Sequence, residues 1–383
     1  MRPSSLFRSL AFLPALAAAT LWAQSPTLQH AQTYIDREKT ASPEIKLLLS
    51  KHRKQITDKK LHFTVGFTYA MEHKLSEITG GVRNTDPAVV TKQNEISKKV
   101  LALNEQALTK ALKANPALKM KIPLLNLAPK PTDSKLDWRT SGMVSPVRRQ
   151  LGGTCWAYAA TAALESSSRL VNNQQIDASE HYVITNDFAD WYVPGNYNAG
   201  GWCFKAVNFL VNKGTVAETT DPDNGTAGTP NPGIFKPYGG MAWGFCHGTN
   251  GQATVAEVKQ ALCEHGPVGT WIDAGGSFGG YTGGVYDDTD TSHTVGGHFV
   301  LIIGWDNSKN AWLIKNSWGS TTWGDPCGFG TEKGYAWVGY GIHGIQTDAV
   351  WIHSHPTQYQ IDRLAMEKIM QGGLKLQTIQ KKL

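Results

Sequence analysis

Three residues in the second half of the chain could together perform acyl transfer through a thiol. Cys155 stands in the run GGTCWAYAATAALE, His298 opens the apolar run HFVLIIGW, and Asn316 lies within LIKNSWG. A thiol attacks a carbonyl carbon as the thiolate, so this chemistry needs a base. A histidine can take the thiol proton and later protonate the leaving amine, and an amide can hold its ring. The residues predict a thiol hydrolase with Cys155 as nucleophile, His298 as base and Asn316 orienting the base.

The position of Cys155 favours its charged form. The alanine-rich pattern over residues 154–172 predicts a helix that starts at this cysteine. Unpaired N–H groups and the helix dipole stabilise negative charge at a helix N-terminus, so we expect a lowered thiol pKa. A cysteine in an apolar helix is more often a core residue, and His293 competes with His298 as the base. Both alternatives have to be weighed against the surrounding sequence.

The elements around these residues change in type along the chain. A second helix is predicted where Thr254 and Glu257 form a capping box, and Gly266 would end it. Farther on, the β-rich runs at 298–305 and 311–318 are joined by the turn-like DNSKN and predict a hairpin. A helix-rich first half and a strand-rich second half predict an α+β fold with a cleft between the halves.

The N-terminal third differs from the rest in composition. Arg2 and Arg8 precede an apolar run at 10–23, which indicates a signal peptide at 1–23 and export to the periplasm or outside the cell. A membrane anchor fits less well, because Pro14 interrupts a run shorter than the roughly 20 residues that span a bilayer. Residues 24–130 read as a mostly helical pro-region, with a helix at 91–118, a strand-like piece at 61–70 and a proline-containing linker at 122–135. Residues 353–383 form a C-terminal extension with a possible short helix at 362–370.

Charge is distributed unevenly along the chain. The net charge is +6, but residues 1–130 carry +11, residues 131–352 carry −8 and residues 353–383 carry +3. A basic segment can bind nucleic acid or an anionic membrane. Here it stands beside an acidic domain in the same chain, and docking within the chain is the simpler interpretation. We therefore expect the pro-region to act as an intramolecular inhibitor and expect no nucleic-acid partner.

Five cysteines limit the disulfides. If Cys155 is a free thiol, the other four, Cys203, Cys246, Cys263 and Cys327, can form at most two bridges. Sequence leaves three connectivities open. We favour Cys203 with Cys246, although Cys203 could instead line a substrate pocket and Cys263 could be a buried free thiol.

Longer blocks carry a family resemblance. The segment DWRTSGMVSPVRRQLGGTCWAYAATAALE at 137–165 resembles the papain family's segment around its active-site cysteine. The blocks SEHYVITN, NAGGWC, GGHFVLIIGW and LIKNSWGSTTWGD follow in the family's order. The resemblance spans about residues 137–350. It implies a papain-like two-domain fold within residues 131–352, with a helical left domain, a β-rich right domain and the active site in the cleft between them.

The resemblance also implies roles for single residues. The spacing to the following Gly-Trp pair identifies His298, not His293, as the family's base. Matching positions imply an oxyanion-hole glutamine, a tryptophan that shields the His–Asn hydrogen bond and glycines that pair with extended substrate; these are Gln150, Trp318, Gly200 and Gly201. Trp202 and Phe299 stand where the pocket for a substrate side chain is expected. Among the departures from the family are the loop between Gln150 and Cys155, which is one residue shorter, and Gly297, which precedes the histidine.

The predicted function is that of a monomeric, secreted cysteine peptidase precursor. It would cleave peptides or proteins through a thioacyl-enzyme and would need no metal or cofactor. Two alternatives remain: a catalytically silent papain-like protein that binds peptides, and a thiol amidase or transpeptidase acting on cell-wall amides. The intact set of Gln150, Cys155, His298 and Asn316 argues against the silent protein.

Overall fold

The computed structural model describes residues 32–84, 86–187, 197, 200–226, 228–231, 233–249, 251–292 and 296–356. The predicted signal peptide, the possible helix at 362–370 and His293 lie outside the described residues. Within these ranges, no helix combines the length and the apolar character needed to cross a membrane.

A mixed, mainly antiparallel sheet forms the centre of the molecule. Its strands are β1 (Phe63–Val65), β2 (Lys135–Asp137), β3 (Gly240–Phe245), β4 (Val268–Asp273), β5 (Tyr281–Tyr286), β6 (Gly297–Asp306), β7 (Ala311–Lys315), β8 (Tyr335–Gly339) and β9 (Thr347–Ser354). Through the described residues the strand order is β1-β5-β8-β7-β6-β4-β9-β3, and β2 pairs with β6. The predicted hairpin is confirmed as β6 and β7, which pair antiparallel with Asp306 opposite Ala311.

Within residues 131–352, called the catalytic region below, the described α-helices lie between residues 155 and 265. They are α6 (Cys155–Asn172), α7 (Glu180–Asp187), α8 (Cys203–Asn212) and α9 (Val255–His265). Every residue of α6 except Arg169 is buried, and its alanines allow close approach to β6 and β9. The predicted capping box of α9 is confirmed, because the Thr254 and Glu257 side chains each accept the other residue's N–H. The expected α+β papain-like fold is confirmed.

Strand β6 separates two hydrophobic cores. Phe299, Leu301 and Ile303 join the cluster that contains α6 and α8, whereas Val300 and Ile302 join the tryptophan-rich cluster on the other face. Alternate residues of a strand point to opposite faces, so a strand buried on both faces is apolar throughout. This burial explains the continuous apolar run after His298.

The leader, residues 32–130 of the described chain, is mostly helical, but residues 61–68, which include β1, and residues 79–84 are not. It contains α1 (Gln32–Lys39), α2 (Pro43–Lys59), α3 (Leu75–Ile78), α4 (Pro87–Ala114) and α5 (Pro123–Leu127). The helix expected at 91–118 is shifted to α4, because Asn115 precedes Pro116 and a residue before proline disfavours the helical conformation. The strand-like piece at 61–70 shortens to β1, and the linker at 122–135 begins with α5.

All five cysteines are unpaired, so the favoured bridge between Cys203 and Cys246 is wrong. Cys203 begins α8 with its sulfur against Gly269 of β4, whereas Cys246 directly follows β3. Strand β9 lies between β4 and β3. Two strand spacings amount to about 10 Å, beyond the roughly 7 Å between Cα atoms that a disulfide tolerates.

Candidate active site

Two neighbouring strands hold the predicted base and its orienting amide. His298 is the second residue of β6, and Asn316 directly follows the paired strand β7. The Nε2 atom of His298 lies 2.7 Å from Oδ1 of Asn316. An amide oxygen only accepts, so we assign the proton to Nε2, which leaves Nδ1 as the acceptor in the neutral ring. This tautomer suits a base that takes a proton through Nδ1.

An indole covers this pair. The Trp318 ring stacks on the His298 ring with centroids 4.5 Å apart and an interplanar angle of 25°. Both residues have no exposed surface. The Oδ1 atom of Asn316 also accepts the N–H of Ser317 at 2.7 Å, which fixes the amide. Water therefore has little access to the His–Asn hydrogen bond from this side.

The amide of Gln150 is oriented by the same strand end. Its Oε1 accepts the hydroxyl of Ser317 at 2.6 Å, so its Nε2 faces the cleft. There Nε2 donates to Gly152 O at 2.8 Å and to the leader carbonyl of Ile78 at 3.1 Å. The short loop between Gln150 and Cys155 thus still places an amide donor against a carbonyl oxygen held in the cleft.

Cys155 begins α6, and leader residues cover it. The leader's residues 78–84, called the cleft segment below, run between the helical and β-rich halves. Gly201 donates its N–H to Gly80 O at 2.8 Å and accepts the N–H of Val82 at 2.9 Å, while Gly81 donates to Gly297 O at 2.7 Å. The cleft is therefore bridged by a peptide held through main-chain hydrogen bonds.

Glycines on both sides make this close approach possible. A Cβ atom on Gly80 would lie 2.0 Å from Gly153 O, and one on Gly297 would lie 2.1 Å from Gly81 O. Gly200 has φ +77°, and a Cβ there would lie 2.5 Å from Gly80 O. Heavy atoms cannot approach to these distances without displacement. Gly297, which departs from the family pattern, is thus a point of close contact with the leader backbone.

Burial controls the charge of the reactive groups. Cys155 and His298 are fully buried. Burial raises the pKa of the Cys155 thiol to about 11, against hydrogen bonding with the backbone of Phe299 and Gly80. Burial also lowers the pKa of His298 to about 4, with the hydrogen bond to Asn316 opposing it. Both groups are neutral at pH 7, so the expected lowering of the thiol pKa is wrong for the leader-covered form.

The remaining predicted residues separate into two groups. Trp202 faces the cleft segment, because its Nε1 donates to Arg83 O at 3.2 Å. The Phe299 side chain is 1% exposed and packs in the α6 cluster. Its predicted place in a substrate pocket stays a prediction.

Sequence reasoning missed several residues that contact the cleft segment. Ser317 orients Gln150, and Trp271 donates its Nε1 to Gly81 O at 3.2 Å. The cleft segment itself carries one usable signal: residues 24–130 contain only three glycines, and two of them are the adjacent Gly80 and Gly81. Such a pair in a helical region indicates close backbone contact.

Comparison with known proteins agrees with this geometry. The family described as papain family cysteine protease matches residues 132–352. Digestive cysteine proteinase 3 of Homarus americanus is 31% identical over 226 residues, which cover 54% of this chain and 68% of the relative. Zingipain-2 of Zingiber officinale is 31% identical over 196 residues, which cover 50% of this chain and 83% of the relative.

Among solved structures, the recombinant stem bromelain precursor and the digestive procathepsin L2 of Tenebrio molitor share the fold. Each has a TM-score of 0.56 and 21% identity and covers 84% of this chain; the chain covers 97% and 99% of them, respectively. This coverage exceeds the catalytic region, so the leader belongs to the shared precursor fold. The family match over more than half of its length shows that this chain belongs to the papain family of cysteine proteases.

Proposed function

We propose that this cysteine peptidase is made as a zymogen whose own leader blocks a site built from Cys155, His298, Asn316 and Gln150. The observation that carries the proposal is the peptide in the cleft: residues 78–82 lie against Cys155 and His298 and are bound through main-chain groups. An extended substrate has the same main-chain groups. The site is thus suited to peptides in general.

Once the leader leaves, His298 Nδ1 takes the proton from the Cys155 sulfur. The thiolate at the start of α6 is then stabilised by the helix N-terminus and by the imidazolium. It attacks the carbonyl carbon of the substrate and forms the C–S bond, while the carbonyl electron pair moves onto oxygen. The Gln150 Nε2 and the Cys155 backbone N–H donate to this oxyanion, at about 3 to 4 kcal/mol for each donor.

The intermediate collapses when the C–N bond breaks. The imidazolium of His298 gives its proton to the leaving amine, which leaves a thioester on Cys155. Water then attacks the thioester, His298 accepts the water proton, and the acid and the thiol are released. Asn316 keeps the ring in its tautomer throughout, and Trp318 covers their hydrogen bond.

Inhibition follows from the same contacts. The leader places Gly80 and Gly81 beside the reactive groups and keeps sulfur and imidazole neutral by excluding water. We infer residues 24–130 as the inhibitory pro-region, residues 131–352 as the mature peptidase and residues 353–383 as an extension. The N-terminal sequence favours export, and the relatives named digestive proteinases fit action on external peptides. We infer a monomer.

The test compares three purified precursors: wild type, Cys155→Ala and the control Cys203→Ala. We expect wild type and the control to process themselves and cleave a peptide library, and Cys155→Ala to do neither. A peptidyl epoxide should alkylate Cys155 only after processing. Equal cleavage by Cys155→Ala would show that Cys155 is not the nucleophile, and absence of alkylation in processed protein would favour a silent peptide-binding protein.

A further inference from the structure

Strand β3, at one edge of the sheet, is poorly suited to exposure. All six of its residues are buried, and residues 238–256 around it contain no Asp, Glu, Lys, Arg or Pro. Among the described strands, β9 is its only partner. Soluble proteins protect a strand edge with charges, proline or a covering element, because a bare apolar edge pairs with other chains. In the precursor the covering element is α4.

Helix α4 is part of both hydrophobic cores at this edge. Val90 belongs to the cluster that contains α6 and α8, whereas Ile96 and Val100 belong to the tryptophan-rich cluster. On the same buried face, Gln93 Nε2 donates to Trp243 O at 2.7 Å. Departure of α4 would therefore open both cores and remove hydrogen-bond partners from the backbone of β3.

The opposite edge of the sheet differs in this respect. Leader strand β1 covers β5 there and pairs with it antiparallel. Asp287, Asp288 and Asp290 directly follow β5, and Gly283 and Gly284 stand opposite β1. Charges at a strand edge disfavour pairing with a second chain, and glycines weaken a strand. Strand β5 can thus lose its leader strand safely, whereas β3 cannot lose α4 without exposing an apolar edge.

Two exposed connectors flank the part of the leader that contains α4 and α5. In the first connector, residues 83–88, every described residue except Asn84 is exposed, and most of the second connector, residues 126–135, is exposed as well. Between the connectors, Leu118 and Ile122 centre a separate small cluster that joins the end of α4 to α5. Hydrolysis of one peptide bond in each connector would therefore free α4 and α5 together as one piece.

We propose that residues 86–127 remain on strand β3 after processing, as a second chain of the active enzyme, while residues 32–84 leave. The inference rests on the proposed zymogen function and deepens it, because it assigns the opening of the active site to the first connector. A cut there removes the tether through which α4 holds the cleft segment in place. A cut in the second connector alone leaves all leader contacts intact, so the cleft stays covered.

The test follows wild-type precursor through processing and then through size-exclusion chromatography without denaturant. Mass spectrometry of the peptidase peak should detect a fragment that starts within residues 83–88 and ends within 126–135, in equimolar amount, and no residues from 32–82. Hydrogen exchange should stay slow at 240–245 and become about tenfold faster or more at 281–286. A peptidase peak that lacks the fragment, retains residues 32–82 or exchanges fast at both strands would overturn the proposal.

A substitution on the buried face of α4 adds a second readout. Val100→Asp places a charge in the tryptophan-rich cluster and should leave processed peptidase without the fragment and with fast exchange at 240–245. Lys99→Asp, at the exposed neighbouring position of α4, is the matched control and should keep the fragment. If Val100→Asp does not fold, exchange in the processed wild type decides alone.

A second form of the test does not need peptidase activity. Cys155→Ala precursor receives the recognition sequence of a site-specific protease in each connector, and that protease makes both cuts. We expect residues 86–127 to co-elute with the catalytic region and residues 32–83 to separate from it. If wild type does not process itself but the cut Cys155→Ala precursor keeps the fragment, the proposed function fails and the retention of α4 is supported. Loss of the fragment from the cut Cys155→Ala precursor would overturn the retention of α4 whatever wild type does.

Discussion

The leader contacts the catalytic region through two surfaces that differ in chemistry. The cleft segment is held mainly between main-chain groups, such as Gly81 N and Gly297 O at 2.7 Å. Helix α4 instead uses side chains: Asn94 Oδ1 accepts Phe245 N at 2.9 Å, and Gln93 Nε2 donates to Trp243 O at 2.7 Å. Strand β3, which receives these bonds, is an edge of the sheet.

The difference suggests that the cleft segment and helix α4 have separate roles. Main-chain pairing does not depend on side chains, so any extended peptide that fits between the glycines can replace the cleft segment. The α4 contacts instead require amide side chains at particular positions, where they reach the free backbone groups of an edge strand. They also protect that edge from pairing with another chain. The catalytic region therefore recognises the leader through helix α4. Because α4 is bound, the effective concentration of the cleft segment at the active site is raised.

The largest expected effect is on the reactivity of Cys155. With a pKa of about 11 in the leader-covered form, only about one thiol in ten thousand is ionised at pH 7. Thiols at helix N-termini or beside a histidine cation have pKa values of about 3.5 to 7.5. We expect alkylation of Cys155 by an uncharged haloacetamide to rise towards pH 11 in unprocessed precursor, but to level off below pH 8 after processing.

Mass spectrometry that resolves each cysteine measures this difference, and denatured precursor, in which all five cysteines react alike, is the control. The thiol pKa is higher in the precursor because burial disfavours the charged thiolate. If precursor and processed enzyme share one inflection in their pH profiles, the leader does not control the thiol.

A valine at Gly80 should expel the cleft segment while α4 stays bound. Its Cβ would lie 2.0 Å from Gly153 O, and overpacking of this kind costs about 1 to 3 kcal/mol or more. We expect Cys155 in unprocessed Gly80→Val precursor to be alkylated about 10- to 100-fold faster at pH 7. Gly233→Val is the matched control, because the nearest atom to its Cβ is 4.0 Å away. A rate equal to that of wild type would mean that the cleft segment is not clamped as described.

Asn94→Ala should loosen α4 and leave the cleft covered. It removes the hydrogen bond from Phe245 N at the end of the edge strand and the one to His247 O just beyond it, each worth about 1 kcal/mol. Hydrogen exchange should accelerate about tenfold in residues 87–114 and at Phe245, with a smaller change in Cys155 alkylation. Lys98→Ala, at an exposed position of α4, is the control. If Asn94→Ala exposes Cys155 as strongly as Gly80→Val does, the two attachments act as one.

Local signals in the sequence predicted the parts of the molecule that depend on local chemistry. The capping box at Thr254, the helix start at Cys155 and the hairpin that brings His298 beside Asn316 follow from near neighbours in the chain or from the family resemblance. The same hairpin explains why two residues 18 positions apart lie within hydrogen-bond distance.

Features that depend on distant parts of the chain were not predictable in this way. The separation of Cys203 from Cys246 follows from the insertion of β9, the last strand, between β4 and β3. The raised thiol pKa results from burial beneath parts of the chain that are distant in sequence, among them the cleft segment about 75 positions earlier. Helical periodicity in the leader does not show where one short segment leaves the pattern and enters the cleft.

The smallest expected effect comes from removing one of the charges that suggested docking of the leader. Lys59 of α2 has its Nζ 3.4 Å from Asp288 Oδ1 and 3.2 Å from Asp290 Oδ2, and its side chain is 41% exposed. Exposed ion pairs contribute little because solvent and salt screen them. We therefore expect Lys59→Ala to change the rate of Cys155 alkylation in the precursor by no more than about threefold. The control is Lys54→Ala, which should hardly change this rate, because the partner of Lys54, Asp58, lies in the same helix. An effect of Lys59→Ala as large as that of Gly80→Val, reduced by added salt, would mean that charge, and not main-chain pairing, holds the leader in place.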